Sequence, residues 1–221
     1  MRTRILPAAG RYPGAVRTGS VGRVTRVDVL VIGGGIAGAS VAAFLAPHRS
    51  VLLVEAEPHL AYHTTGRSAA VLFENLGAGP LRPLTRASRP FLAAPPPGVP
   101  DVPFLHPRGV LSIARPDQAA ALERVAAEGR ESGVDVDLLT PAEALGRFPA
   151  LRPERLAGAL WEPGAADMDV AAIHAAYLRM ARHHGATIRP SAPVTGLDRT
   201  GAGWRVFLRG EETVDADVVV D

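Results

Sequence analysis

The segment from Asp28 to Glu55 constrains the fold of this 221-residue chain more than any other part of its sequence. It opens with an apolar, β-branched run, Val29 to Ile32, of the kind found in parallel strands that are buried on both faces. Gly33, Gly35 and Gly38 follow with the spacing G-x-G-x-x-G. Such glycines let the chain turn tightly, let backbone N–H groups approach a pyrophosphate, and let a helix pack closely on the sheet. The sequence therefore predicts a dinucleotide-binding turn between a strand and a helix.

The residues after the glycines complete this unit. Ile36 to Ala46 is small and apolar, which favours a helix, and Pro47 ends it because proline fixes φ and lacks a backbone donor. The N-terminus of this helix, with its partial positive charge, would face the phosphates. Val51 to Val54 is predicted as the second strand. Glu55 then stands about 20 residues after the glycines, where a carboxylate accepts hydrogen bonds from a ribose diol.

A membrane-spanning helix is the alternative interpretation of residues 29 to 46, since that run carries no charge. Three adjacent glycines would weaken such a helix, and the acid, the proline and the second strand would have no role in it. The sequence therefore predicts a protein without a transmembrane segment, which we expect in the cytoplasm.

Composition excludes several kinds of site. The chain has no cysteine, which rules out a disulfide framework, a thiolate zinc site and a cysteine nucleophile. All 24 basic residues are arginines, so a Schiff-base lysine and a P-loop lysine are excluded as well. The net charge is only +2 and aromatic residues make up 5% of the chain, so no nucleic-acid partner is predicted.

Residues 1–26 are predicted to form a disordered basic tail, because they combine arginines with scattered glycine and proline and contain no acid. A secretory signal is rejected, since the apolar pair Ile5 and Leu6 is broken at Pro7. An arginine-rich transit peptide is a weaker alternative to a dispensable extension.

A second cluster of polar residues follows Glu55, in the sequence YHTTGRSAA. Thr64, Thr65 and Gly66 are predicted to lead into a helix from about Arg67 to Leu76, which would form a second anion site at its N-terminus. Because this site would directly follow the ribose-binding acid, it favours a flavin dinucleotide over a nicotinamide one. An NAD-dependent dehydrogenase is the alternative.

The rest of the chain mixes predicted helices and strands. Asp169 is predicted to cap a helix rather than to form an acid–base pair with Asp167, and His183 and His184 are predicted to lie in a solvated last turn rather than to bind a metal. Glu211 and Glu212 indicate an exposed hairpin turn. Helices are predicted at 81–92, 117–132, after the capping box of Thr140 and Glu143, and at 169–184, and strands at 109–114, 134–139, 156–161, 186–189, 194–198, 204–208, 213–216 and 217–221.

The sequence resembles the flavin amine oxidoreductases that include D-amino acid oxidase, glycine oxidase and sarcosine oxidase. The resemblance begins with VIGGGIAGAS, the acid after the second strand and YHTTGRSAA, and it continues through LRPLTRASRPFL, PRGVLSIA and GADMDVAAIHAAYLRMARHHGATI. It is nearest to the bacterial FAD-dependent D-arginine dehydrogenase type. It implies an α/β, Rossmann-like FAD-binding domain of the glutathione-reductase type, formed by 27–104 and 164–221, with the beginning of an inserted substrate domain at 105–163. Because the family pattern continues further, the chain is expected to be the N-terminal part of a longer enzyme.

The resemblance also implies FAD as the cofactor and a small-molecule amine or amino acid as the substrate, oxidised at its C–N bond by hydride transfer to flavin N5. Oxygen or a quinone would accept the electrons. The alternative is a catalytically inactive FAD-binding fragment or half of a split enzyme. No catalytic residue and no metal ligand is assigned. The implied cofactor contacts are Gly33, Gly35, Gly38, Glu55, His63, Thr64, Thr65, Arg67, Ser68, Ala69 and, near the adenine, Val194.

This sequence departs from the D-arginine dehydrogenase type where that type binds its substrate. Val71, Phe73 and Leu76 replace polar positions, and Gly109 and Val110 stand where an acid would meet a cationic side chain. A guanidinium group without its counter-ion costs several kcal/mol when it is buried. We therefore expect a neutral or apolar amine, or no substrate binding in this form, rather than D-arginine.

Overall fold

The computed structural model of the chain describes residues 25–77, 81–94, 102–210 and 212–221. Most of the predicted tail, residues 1–24, lies outside the described residues, and Thr25 and Arg26 open the first strand instead of ending a tail. The chain divides into two compact units, one formed by Met1–Arg67 with His174–Asp221 and the other by Ser68–Ile173.

The helices and strands of the described residues are numbered in chain order. They are β1 (Thr25–Ile32), α1 (Ile36–Leu45), β2 (Val51–Val54), β3 (Val71–Leu72), α2 (Leu81–Ala93), β4 (Leu105–Pro107), β5 (Val110–Ala114), α3 (Ala119–Glu131), β6 (Asp137–Leu139), α4 (Pro141–Arg147), β7 (Gly158–Glu162), β8 (Ala166–Met168), α5 (Val170–His183), β9 (Thr187–Arg189), β10 (Val194–Thr200), β11 (Gly203–Leu208) and β12 (Thr213–Val220). Single 3-10 turns lie at Thr65–Arg67, Pro116–Gln118 and Pro153–Arg155.

The first unit is built on a six-stranded sheet with the order β10-β11-β12-β1-β2-β9. The strands β12, β1, β2 and β9 are parallel, and β10, β11 and β12 form an antiparallel meander. Alternate residues of the central strands face two apolar cores: Val31 and Leu53 pack with α1 and α5, while Leu30 and Leu52 pack with β11 and β12. Burial on both faces explains the uninterrupted apolar runs, and the Rossmann-like α/β fold is confirmed.

The second unit contains two antiparallel three-stranded sheets, ordered β3-β8-β4 and β5-β7-β6. Leu160 on β7 packs in the core under α3, and its neighbour Ala159 packs in the core under α4. The predicted capping box opens α4: the Thr140 side chain accepts a hydrogen bond from the Glu143 N–H, and the Glu143 carboxylate accepts one from the Thr140 N–H.

The predicted helix from Arg67 to Leu76 is wrong. The chain makes a 3-10 turn at Thr65–Arg67 and then the short strand β3, whose Val71 and Leu72 pair with β8. The Gly66 N–H bonds to the Ala61 carbonyl at 2.8 Å, and a Cβ on Gly66 would collide with that carbonyl oxygen. The tight turn at Gly66 and the pairing of β3 with β8 outweigh the local preference of these residues for a helix.

Smaller differences also have physical causes. The strand predicted at 134–139 shortens to β6, because only Asp137–Leu139 pair with β7, while Val134 and Val136 are buried in the core with α3. The strands predicted at 213–216 and 217–221 are the single strand β12, which pairs on both sides. Glu212 is not a free turn residue, since its carboxylate forms a bidentate ion pair with Arg189 at 2.5 and 2.7 Å; Glu211 lies outside the described residues.

The membrane alternative for residues 29 to 46 is wrong, because they form a strand, a turn and a helix of 10 residues. Among the described residues, no helix combines the length and apolar character that crossing a bilayer requires.

Candidate functional site

The glycine turn connects β1 to α1 as predicted. Gly33 has φ +101°, a conformation that favours glycine, and its N–H bonds to the Val54 carbonyl at 2.8 Å. A Cβ on Gly38 would overlap the Gly33 carbonyl, so the helix lies directly against the turn. Gly35 is the N-cap residue of α1 and brings no side chain that could cap it.

This helix N-terminus fits an anionic group such as a pyrophosphate. The first N–H groups of any helix have no acceptor within it. In the described part of the chain, a side chain provides an acceptor for Ile36 but for neither Ala37 nor Gly38. Two donors at the positive end of a helix of 10 residues therefore remain available to a ligand.

Glu55 lies at the carboxyl end of β2, next to the glycine turn. Its Oε2 accepts a hydrogen bond of 2.7 Å from the Gly34 N–H, and its Oε1 accepts one of 3.0 Å from the Glu57 N–H. The carboxylate is only half-buried and can still accept hydroxyl donors. Its position beside the turn is the one that a ribose-binding acid needs.

Thr65 contacts the same helix N-terminus. Its Oγ1 accepts a hydrogen bond of 3.0 Å from the Ile36 N–H. The predicted second anion site at a helix N-terminus is therefore replaced by a loop that folds back on α1. Thr64 is exposed, and its carbonyl accepts the Arg67 N–H at 3.3 Å.

The exposed side chains of this loop gather around Tyr62. The Arg67 guanidinium lies over the Tyr62 ring, 5.1 Å from its centroid, and the His63 ring meets the same ring edge-on. His63 Nε2 is 3.0 Å from Glu57 Oε1, so His63 binds a carboxylate. Of the other residues named from the sequence, Ser68 and Ala69 are exposed and are the first residues of the second unit.

Val194 is the first residue of β10 and packs against the core beneath β2. The segment before it runs beside the candidate acid, since the Ala192 N–H bonds to the Glu55 carbonyl at 2.8 Å and the Ser191 N–H to the Glu57 carbonyl at 2.9 Å. The structure thus brings the 191–194 segment alongside Glu55.

Two residues of the site were missed by the sequence reasoning. Gly34, the middle glycine, is buried, and a Cβ there would collide with the Leu60 side chain. Its carbonyl accepts a hydrogen bond of 2.9 Å from Nε2 of His174, a buried residue of α5. Three consecutive glycines were a usable signal for Gly34. His174, on an otherwise ordinary helix, gave none.

Other candidate residues are not brought into a site. Asp169 caps α5 as predicted, since its Oδ1 accepts the Ala172 N–H at 2.8 Å, and Asp167 pairs with Arg108 at 2.6 Å. The rings of His183 and His184 meet edge-on at 5.0 Å. Within the described ranges, no three histidine, aspartate or glutamate residues are grouped as metal ligands.

Among the described residues of the second unit, one carboxylate is buried, that of Glu162. It accepts hydrogen bonds from the N–H groups of Glu74, at 2.5 Å, and Asn75, at 3.2 Å. Burial raises the pKa of Glu162 above the ordinary value of 4.5, because desolvation penalises the charged form more than these two bonds favour it. Nearby, Val71 is half-buried and Leu76 is exposed.

Residues 28–221 match the model of a family described as FAD dependent oxidoreductase. Among solved structures, glycine oxidase from Geobacillus kaustophilus is 27% identical with a TM-score of 0.77, and glycine oxidase from Bacillus cereus is 26% identical with a TM-score of 0.72. They cover 89% and 87% of this chain. L-alpha-glycerophosphate oxidase from Mycoplasma pneumoniae, solved with FAD bound, is 19% identical with a TM-score of 0.77 over 90% of the chain, which shows a shared fold.

The chain spans about half the length of the solved structures that it matches. It covers 55% and 54% of the two glycine oxidases and 54% of the glycerophosphate oxidase.

Proposed function

The chain belongs to the family of FAD-dependent oxidoreductases, and on that premise we propose that it takes part in oxidising the C–N bond of an amino acid or a related amine. FAD is its cofactor. The observation that carries the proposal is the Glu55 carboxylate, which lies 2.7 Å from the Gly34 N–H beside the N-terminus of α1, whose N-cap residue Gly35 has no side chain. The carboxylate that would bind a ribose thus lies next to the N–H groups of α1 that would bind a pyrophosphate.

Each residue named from the sequence as a cofactor contact has a proposed role toward the dinucleotide. Gly33, Gly35 and Gly38 let the backbone of the turn and of α1 approach the pyrophosphate, and Glu55 accepts the hydrogen bonds of the ribose hydroxyls. Thr65 holds the following loop against α1. The remaining proposed contacts are His63, Thr64, Arg67, Ser68, Ala69 and, on the adenine side, Val194.

Bound FAD would supply a hydride acceptor, its N5, for the carbon that carries the amine, and water would hydrolyse the imine product. The described residues of this chain supply binding and orientation. The donors at α1 and the Arg67 guanidinium offset the negative charge of the phosphates.

The substrate is proposed to be a neutral or apolar amine. Val71, Phe73 and Leu76 offer it no charge, and two solved structures that are 27% and 26% identical to the chain are glycine oxidases. We propose a reaction of the D-amino acid dehydrogenase or oxidase type, in the cytoplasm, with oxygen or a quinone as electron acceptor.

The test is an absorbance spectrum of the purified chain, taken before and after adding FAD and then, without oxygen, a mixture of glycine and neutral D-amino acids. Flavin bands that bleach with the amines are expected. Bands that persist would contradict amine oxidation by this chain. No bands and no thermal stabilisation by FAD would contradict cofactor binding, and stabilisation by NADH alone would support the nicotinamide alternative.

A further inference from the structure

His174 makes a polar contact that the packing of its helix does not require. It is 7% exposed, and its Nε2 lies 2.9 Å from the Gly34 carbonyl oxygen. The helix α5 is already held in the core of the first unit by apolar residues such as Tyr177 and Ala181. The imidazole thus reaches from a well-anchored helix to the middle of the glycine turn.

The Gly34 carbonyl is not an orphan that needs this donor. It also accepts a hydrogen bond of 3.2 Å from the Ala61 N–H, while the Gly34 N–H is bonded to Glu55. Burying an imidazole costs free energy unless it is hydrogen-bonded, and the net gain from one such bond is about 1 kcal/mol. The contact therefore adds little to the free energy of unfolding. Its distinct effect is to fix the direction of the Gly34 carbonyl.

The direction of this carbonyl determines that of a neighbouring donor. The Gly34 C=O and the Gly35 N–H belong to one planar, trans peptide group and point in opposite directions. Glycines on both sides of that group would let it rotate at little steric cost. Holding the oxygen toward His174 fixes the Gly35 N–H on the far side, at the N-cap of α1.

We propose that His174 is a positioning residue that locks the Gly34–Gly35 peptide group, so that the Gly35 N–H is preset for the pyrophosphate of FAD. The proposal rests on the FAD binding proposed above. Because a carbonyl only accepts, Nε2 carries the proton of this imidazole. The residue acts through the glycine turn, by its contact with the Gly34 carbonyl.

Two substitutions separate this role from simple packing. His174→Phe keeps the ring but removes the donor, whereas His174→Gln places an amide N–H near the original Nε2. The matched control is His183→Gln in the same helix, at an exposed position. We expect the phenylalanine variant to bind FAD about five- to tenfold more weakly, as one lost hydrogen bond predicts, and glutamine to recover most of the affinity.

The second readout is the Gly35 amide signal in ¹⁵N NMR spectra of the chain without FAD. A single sharp signal is expected in the unaltered chain and a broadened or doubled one in His174→Phe. Unchanged affinity and an unchanged signal would overturn the proposal. Equal weakening by Phe and Gln with an unchanged Gly35 signal would also overturn it, because that pattern indicates packing.

The Gly35 amide signal tests the role of His174 independently of the proposed FAD binding. If the unaltered chain binds no FAD, the proposed function fails, and the NMR comparison alone decides whether His174 orders the peptide group. If His174→Phe does not fold, His174→Asn replaces it, since its shorter amide cannot reach the Gly34 carbonyl and the same two outcomes apply.

Discussion

The hydroxyl oxygen of Thr65 accepts a hydrogen bond of 3.0 Å from the N–H of Ile36, although the two residues are 29 positions apart. Caps of helix N-termini normally come from the residue just before the helix, but Gly35 has no side chain. Thr65 therefore caps α1 from a loop that is distant in sequence. The same bond holds the 57–67 loop against the glycine turn.

Replacing Thr65 with valine should lower the free energy of unfolding by about 1 kcal/mol, the usual cost of a lost helix cap. Thr65→Ser keeps the acceptor and should cost less. Denaturant unfolding measures both, with Thr64→Val as the control at the exposed neighbour. Equal stability of the valine and serine variants would show that the hydroxyl does not cap α1.

Glu55→Gln should destabilise the chain by about 1 to 2 kcal/mol, because an amide NH₂ would face one of the two backbone donors that the carboxylate now accepts. FAD should also bind about tenfold more weakly if the carboxylate holds the ribose. Titration of flavin fluorescence measures the affinity. Glu154→Gln, at an exposed position, is the control and should change neither quantity.

Gly38→Ala should destabilise the chain by about 3 kcal/mol or more, since the new methyl group would collide with the Gly33 carbonyl, which is backbone and cannot move aside. The matched control is Gly146→Ala in α4. Apart from its own helix backbone and chain neighbours, no described atom lies within 4 Å of a Cβ at that position, so the change should stabilise the chain by about 0.5 kcal/mol through helix propensity. Thermal unfolding checks both. Mild effects of equal sign would contradict the close packing of α1 on the turn.

Glu162 predicts a specific dependence of stability on pH. Since its pKa is raised in the folded state, the folded chain binds this proton more tightly than the unfolded chain does. The contribution of this group is fully present below pH 4.5 and is lost as the pH rises through the folded-state pKa. Relative to Glu162→Gln, the unaltered chain should lose unfolding free energy as the pH rises over that range.

Denaturant unfolding at a series of pH values from 4.5 upward measures this difference. The glutamine variant also carries a constant offset, because its amide satisfies only one of the two backbone donors, so the test compares slopes. Parallel curves for the two proteins would contradict the raised pKa.

The sequence predicted the segment from β1 to β2 well because its signals are local. The apolar run Val51–Val54, the glycine spacing and the Pro47 break each act within a few residues, and the structure has β2 at the predicted bounds. The capping box of Thr140 and the cap of Asp169 are equally local, and both were confirmed.

What the sequence did not reveal depends on partners far along the chain. The strand β3 pairs with Asp167 and Ala166, and His174 meets Gly34 from 140 positions away. No pattern within a short window marks either contact. Gly34 was overlooked because the motif leaves its position unspecified, whereas the structure holds it through Glu55 and Ala61.

The position of β1 between β2 and β12 has a consequence for the order of folding. On the β2 side, Asp28 meets Ser50 over 22 residues of chain, whereas on the β12 side Arg26 meets Asp217 over 191. Contacts that close long loops form slowly, so β1, α1 and β2 can assemble early. The edge of β1 that pairs with β12 stays unpaired until β12 has been synthesised. During that interval the unpaired edge of β1 can associate with other chains. The time at which β12 is synthesised therefore determines when β1, which leads into the glycine turn, is paired on both sides.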